Sequence, residues 1–250
     1  DRARLRRIGT TAAMDYLAAM SFSAEERERY ARHILLKEIG GPGQQRLKAA
    51  TVALVGAGGL GAPAALYLAA AGVGRLRLID HDTVSLSNLP RQIMFTTADD
   101  GAAKVDRATA VLNGLNPHVE IEPLVERLTS ANADDFLANA DIVLDGTDDF
   151  AARFAVNAAC RRAGTPLVSG AVGRWDGQIS VFARGGPCYQ CFVPETPPDA
   201  DTCAQVGIVG ALGRRRSRQC RADRRCARKQ RAVGLARPAV DRARAAAWRS

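Results

Sequence analysis

Three glycines, Gly56, Gly58 and Gly61, stand at G-x-G-x-x-G spacing within T-V-A-L-V-G-A-G-G-L-G, residues 51–61. The run before them is apolar and strand-like. The run after them, A-P-A-A-L-Y-L-A-A-A at residues 62–71, is rich in helix formers and tolerates Pro63 in its first turn. A glycine turn between a strand and a helix lets backbone approach a phosphate closely, and the free N–H groups at the helix start face the anion. The chemistry is nucleotide binding. Asp80 closes the next strand-like run, L-R-L-I-D, 21 residues after Gly59, where a carboxylate suits a ribose hydroxyl. Dehydrogenases use the same turn, so these residues leave both a dinucleotide and ATP open.

Cations further along favour a triphosphate. H-D-T-V-S-L-S-N-L-P-R-Q follows Asp80 and G-A-A-K comes next, which places Asn88, Arg91 and Lys104 in segments lining the carboxyl edge of a sheet. The glycine turn already satisfies a diphosphate, whereas ATP brings further negative oxygens that call for Lys, Arg and a metal. Asp145, Asp148 and Asp149 cluster at the end of another apolar run, A-D-I-V-L-D-G-T-D-D-F. Clustered carboxylates repel unless a cation or donors offset them, so Mg²⁺ at Asp148 is one expectation; Thr147 or Asp148 capping a helix over residues 149–162 is the other. Cys188 and Cys191 form a C-x-x-C that fits half a tetrahedral zinc site, a redox pair, or two unrelated thiols. Ser23 and Glu26 make a capping box opening a charged helix toward Gly40, on which R-Y-A-R-H, residues 29–33, reads as a solvated face.

Aliphatic runs at residues 52–55, 76–79, 142–144, 166–169 and 179–182 alternate with helix-like stretches. That alternation predicts an α/β fold: a Rossmann-like, doubly wound, largely parallel sheet with helices on both faces. No repeat of fixed period appears, and the longest apolar run falls far short of the roughly 18 residues a membrane span needs. The formal charge is +9, but residues 213–250 hold thirteen arginines and one lysine against two aspartates, a net +12 that leaves −3 for residues 1–212. A mildly acidic body argues against nucleic acid as a partner. The tail has no apolar period and reads as a disordered basic segment. Without a signal-like apolar stretch in the arginine-rich residues 1–19, the six cysteines are expected to be reduced and the protein cytoplasmic.

The ordered set R-Y-x-R-H-x-L-L, G-x-G-G-L-G, D-x-D-x-V-x-x-S-N-L-x-R-Q, G-x-x-K and D-G-T-D-D resembles the E1-like adenylyltransferases that activate small ubiquitin-like sulfur carriers, the molybdopterin-synthase and thiamine-pathway type. The resemblance spans residues 22–212. It implies ATP-dependent adenylylation of a carrier's C-terminal glycine, with Gly58 and Gly59 bordering the phosphates, Asp80 the ribose, Asn88, Arg91 and Lys104 the phosphates, and Asp148 the Mg²⁺. Arg32 then looks like an arginine that reaches into a partner subunit, which overturns the solvated-face reading and implies a homodimer. Cys203 resembles a cysteine that some members use for a covalent bond to the carrier, and a sulfur-donor protein is the implied next partner. Beyond Leu212 the family pattern gives way to the arginine-rich tail without a second C-x-x-C, so the zinc site is incomplete. The expected organisation is an extension (1–19), an adenylyltransferase domain (20–212), and a tail (213–250) arising from a reading-frame change near Gly213, with Met20 as a natural start. The alternatives carried alongside are a nicotinamide-dependent oxidoreductase, an inactive nucleotide-binding remnant, and a basic tail that binds nucleic acid.

Overall fold

The computed structural model describes residues 22–173 and 177–196; the expected extension, the basic tail and Cys203 lie outside them. Its strands are β1 (Thr51–Val55), β2 (Arg75–Ile79), β3 (Glu120–Leu124), β4 (Ile142–Asp145), β5 (Leu167–Val172) and β6 (Gly177–Phe182). They form one sheet of order β3-β2-β1-β4-β5-β6, with β1 to β5 parallel and β6 antiparallel to β5. The order reverses between β1 and β4. In such a sheet the chain leaves these two strands toward opposite faces, opening a crevice at their carboxyl ends.

Strand β1 shows why the sheet carries helices on both faces. Val52 and Leu54 pack into one core with Ala62, Ala65, Val105 and Leu112, while Ala53 and Val55 pack into another with Ala133, Leu137, Val156 and Cys160. Alternate residues of a strand point to opposite faces, and an apolar run without alternation buries both. The helices concerned are α4 (Gly61–Ala71) and α5 (Lys104–Leu115) on one side, and α6 (Ala133–Phe136) and α7 (Phe150–Ala163) on the other.

The amino-terminal helix is shorter than expected. The capping box is formed, with Ser23 Oγ accepting from the Glu26 N–H and Glu26 Oε2 from the Ser23 N–H. The helix, α1 (Ala24–Arg29), nevertheless ends at Arg29, and the chain continues as two further short helices, α2 (Ala31–Ile34) and α3 (Gly40–Ala49). Tyr30 causes the first break. It is 3% exposed, its hydroxyl accepts from Asn116 Nδ2, and its ring fills the space beside Gly72. Tertiary packing of one aromatic thus overrides continuation of a helix. Strand β3 had no apolar run to announce it. As E-I-E-P-L it is an edge strand, half exposed, and its proline is tolerated there.

Candidate functional site

The glycine turn follows β1 at the point where the sheet order reverses. Gly56 takes φ +89°, which closes the tight turn. A Cβ on Gly61 would lie 1.8 Å from the Gly56 carbonyl oxygen, so the start of α4 can sit this close to β1 only as glycine.

Asp80 does more than await a ribose. It is buried, its Oδ2 accepts from the Ala57 N–H at 2.7 Å and its Oδ1 from the Asp82 N–H at 2.9 Å, so it ties the end of β2 to the glycine turn. Arg91 and Asn88 act as a pair. Asn88 Oδ1 accepts from Arg91 Nη2 at 2.9 Å, the Ser87 carbonyl accepts from Nη1 at 3.1 Å, and the Arg91 stem lies 3.4 Å from where a Cβ on Gly59 would stand. A cation is thereby held against the turn, as expected of a phosphate site.

Lys104 opens α5 and is 4% exposed, with Nζ donating to Asp82 Oδ2 at 2.8 Å. Burial opposes ionisation of the Asp82 carboxyl, but the hydrogen bond and charge of Lys104 outweigh it and hold the carboxyl below its ordinary range. Asp80, His81 and Asp82 bring ligand atoms within 4.8 Å of one another, yet Asp80 and Asp82 are engaged with backbone and lysine donors. Asp82 thus serves as the counter-ion of Lys104.

The acidic loop after β4 sorts its carboxylates into different tasks. Asp145 is buried, accepting from the Thr147 N–H, Thr147 Oγ1 and Ser169 Oγ. Asp149 caps α7 through the Ala151 N–H, so the expected cap at Thr147 or Asp148 is displaced by one position. Asp148 stands exposed with no hydrogen bond or ion pair among the described residues, a carboxylate able to take a divalent cation. Arg153, 6% exposed, donates to the Thr147 and Gly170 carbonyls and so fixes the loop that carries Asp148. Sequence reasoning missed Arg153 and Gln92, which is 3% exposed beside Gly58. Arg153 lies one helical turn after its cap, a spacing legible in the sequence; Gln92 directly follows Arg91, where a neutral amide carries little signal.

Arg32 is not brought to this turn. It is exposed on α2, which packs on α1 and α3, and no described residue pairs with it. Its helix is anchored by His33, whose Nδ1 lies 3.0 Å from Gln44 Oε1, while Gln44 Nε2 donates to the Ala71 carbonyl. Gln44 offers His33 an acceptor, so Nδ1 carries the proton.

Cys188 and Cys191 bracket the start of α8 (Tyr189–Phe192), with their sulfurs 3.7 Å apart. Two ligands of a tetrahedral zinc with bonds of about 2.3 Å stand roughly 3.8 Å apart, so the pair fits half a zinc site. No third described ligand atom joins them. Burial alone would raise the Cys188 thiol; hydrogen bonds from Cys191, Asn157 and the Gln190 backbone outweigh it and hold the thiol below its ordinary value. No helix of the described residues is long and apolar enough to cross a membrane.

Comparison with known proteins identifies the family. Over 195 residues the chain is 44% identical to the SAMP-activating enzyme E1 of Haloferax volcanii, covering 77% of this chain and 72% of that one. It is 45% identical over 201 residues to the sulfur carrier protein adenylyltransferase of Thermus thermophilus, covering 77% and 74%. Among solved structures, the E. coli tRNA N6-threonylcarbamoyladenosine dehydratase TcdA in complex with ATP superposes with a TM-score of 0.57 at 30% identity, over 60% of this chain and 62% of that one. The ThiF family model matches residues 30–214, which takes in the glycine turn, Arg91, Lys104 and the acidic loop, and the chain belongs to the ThiF family.

Proposed function

We propose that this protein is an ATP- and Mg²⁺-dependent adenylyltransferase acting on the C-terminal glycine carboxylate of a small ubiquitin-like sulfur carrier. One observation carries the reading: Arg91, oriented by Asn88, lies along the glycine turn at Gly59, and the turn borders an acidic loop whose Asp148 has no partner among the described residues. The names of the relatives favour adenylyl transfer over hydride transfer. In the reaction a carrier carboxylate oxygen attacks the α-phosphorus of ATP, the bond to the β-phosphate oxygen breaks, and pyrophosphate leaves with its electron pair. The carboxylate is already a nucleophile, so the enzyme's task is to position it and offset phosphate charge.

Arg91 and Lys104 supply cationic donors to the phosphates, and Asn88 keeps Arg91 aimed. Asp82, as the counter-ion of Lys104, keeps that ammonium in place between turnovers. Asp148 holds the Mg²⁺, which neutralises charge on the phosphates when bound. Asp80, already fixed by the glycine turn, meets the ribose. Arg32 belongs to the site of a second copy, a reading its exposed position and lack of a partner among the described residues support. On this reading the protein works as a homodimer in the cytoplasm, with a separate sulfur-donor protein converting the acyl adenylate to a thiocarboxylate for molybdopterin or thiamine synthesis. Cys188 and Cys191 would hold a structural zinc together with ligands from elsewhere, and Cys203 is a candidate for a covalent bond to the carrier.

The test is pyrophosphate exchange into ATP in the presence of Mg²⁺ and a Gly-Gly-ended carrier. Wild-type protein should exchange only with carrier present, and Arg91→Ala should lose about 10²-fold or more in rate without a change in thermal midpoint. NADH binding in place of exchange would overturn the reading.

A further inference from the structure

Gln92 combines deep burial with an unmade hydrogen bond. It is 3% exposed, and its carboxamide oxygen Oε1 is buried without a partner among the described residues. Its nitrogen Nε2 faces the glycine turn, 3.7 Å from where a Cβ on Gly58 would stand, and no other described atom outside the adjoining chain comes within 4 Å of that point. The amide thus stands directly over Gly58. A buried acceptor left unsatisfied is unfavourable, and such groups in a native fold call for an explanation.

We infer that Gln92 contacts substrate in the nucleotide cradle through a turn of its side chain, which brings the enclosed carboxamide oxygen to an O–H or N–H donor that arrives with substrate while its nitrogen donates to an acceptor there. This rests on the adenylyltransferase reading above. The choice of side chain follows from the chemistry: phosphate oxygens at neutral pH are acceptors and could satisfy Nε2 but never Oε1. Turning the amide by 180° only exchanges the two atoms. Both are satisfied together by a ligand that offers a donor and an acceptor side by side. Two sources in the proposed reaction meet that requirement: a ribose hydroxyl beside the phosphates, or the terminal amide N–H of the carrier beside its carboxylate. Arginine or lysine could not accept, and glutamate would set a negative charge against the phosphates.

Gln92→Met keeps the length of the side chain and removes both polar atoms. The full-length variant should melt at the same temperature as wild type or a few degrees higher when free of ligand, because the orphan acceptor is gone. It should lose at least tenfold in kcat/KM for carrier-dependent exchange. A matching rise in the calorimetric Kd for ATP with Mg²⁺ assigns the donor to the nucleotide, and a rise confined to KM for carrier assigns it to the terminal amide. A lower melting temperature with wild-type rates per folded molecule would show that Gln92 is structural and would overturn the inference. Gln92→Glu gives a second reading should the methionine variant not fold: ATP should bind at least tenfold more weakly, and unchanged affinity would sink the idea. Melting and ATP binding need no carrier, so they judge Gln92 even where wild-type protein shows no exchange, the result that would remove the proposed reaction instead.

Discussion

At the scale of residues, the site is held by pairs in which one partner is spent on fixing the other. Lys104 has a side chain only 5% exposed, while Asp82 is 52% exposed, so the lysine is the member that depends on its counter-ion. Asp82→Asn should lower stability by about 1–2 kcal/mol, less than for a fully buried pair because water reaches the aspartate; urea unfolding measures it. It should also slow exchange, since an unpinned ammonium is less well aimed at the phosphates. Gly61→Ala is a harsher change. Its methyl would meet the Gly56 carbonyl at 1.8 Å, far inside contact distance, so α4 must move off β1. We expect loss of ATP binding together with several kcal/mol of stability, read by calorimetry and chemical unfolding. The Gly61 constraint was legible in the sequence as the third glycine of the motif. The Lys104–Asp82 pair was not, because a hydrogen bond between residues on different segments leaves no spacing to read.

At the scale of elements, helix α7 separates two neighbouring aspartates that spacing alone treats alike. Asp149 caps the helix and Asp148 does not. Asp149→Ala should therefore lower the stability of the fold by about 1 kcal/mol while leaving the metal requirement of exchange unaltered. Asp148→Ala should do the reverse, with an unchanged melting curve and exchange that no longer saturates with Mg²⁺. A common effect of the two variants would show that the loop works as one unit. The amino-terminal helices teach a related lesson. The capping box correctly marked where α1 begins, since that signal is local, four residues long and satisfied by its own atoms. Its end at Tyr30 depends on Asn116 and Gly72, which lie far away in the chain.

At the scale of the whole molecule, three carboxyls among the described residues tune stability to pH. Glu26 feels burial, which raises its pKa, but its bonds to Lys48 and the Ser23 N–H prevail; Asp82 is held down by Lys104, and Asp99 by Thr96 and Arg107. A carboxyl with a lowered folded value stabilises the fold above its unfolded value and loses that contribution as pH falls through the folded one. Thermal midpoints should thus hold near neutrality and drop as pH goes below the ordinary carboxylate range near 4. Cys160 works at the other end. Burial, with the nearby Asp145 charge, pushes its thiol from 9.0 to about 12, so stability present below pH 9 should decline as pH rises toward 12. For the same reason Cys160 should resist thiol reagents in the native state while exposed Cys191 reacts, which mass spectrometry after brief alkylation would show.

By itself the sequence determined that a parallel sheet would carry a nucleotide cradle, because apolar runs, glycine spacing and capping signals are short-range and each is satisfied close to where it is written. It also offered Arg91, Asn88, Lys104 and Asp148 as candidates for its polar complement. Only the tertiary structure decided what each of them does in the folded chain. It gave the cap to Asp149, tied Asp80 to Ala57 and Lys104 to Asp82, inserted β3 at the sheet edge, and set the unpaired amide of Gln92 beside Gly58. The physical reason is that hydrogen-bond partners are chosen by proximity in space. Residues 23 apart, such as Ala57 and Asp80, become neighbours only when the strands that bear them lie side by side.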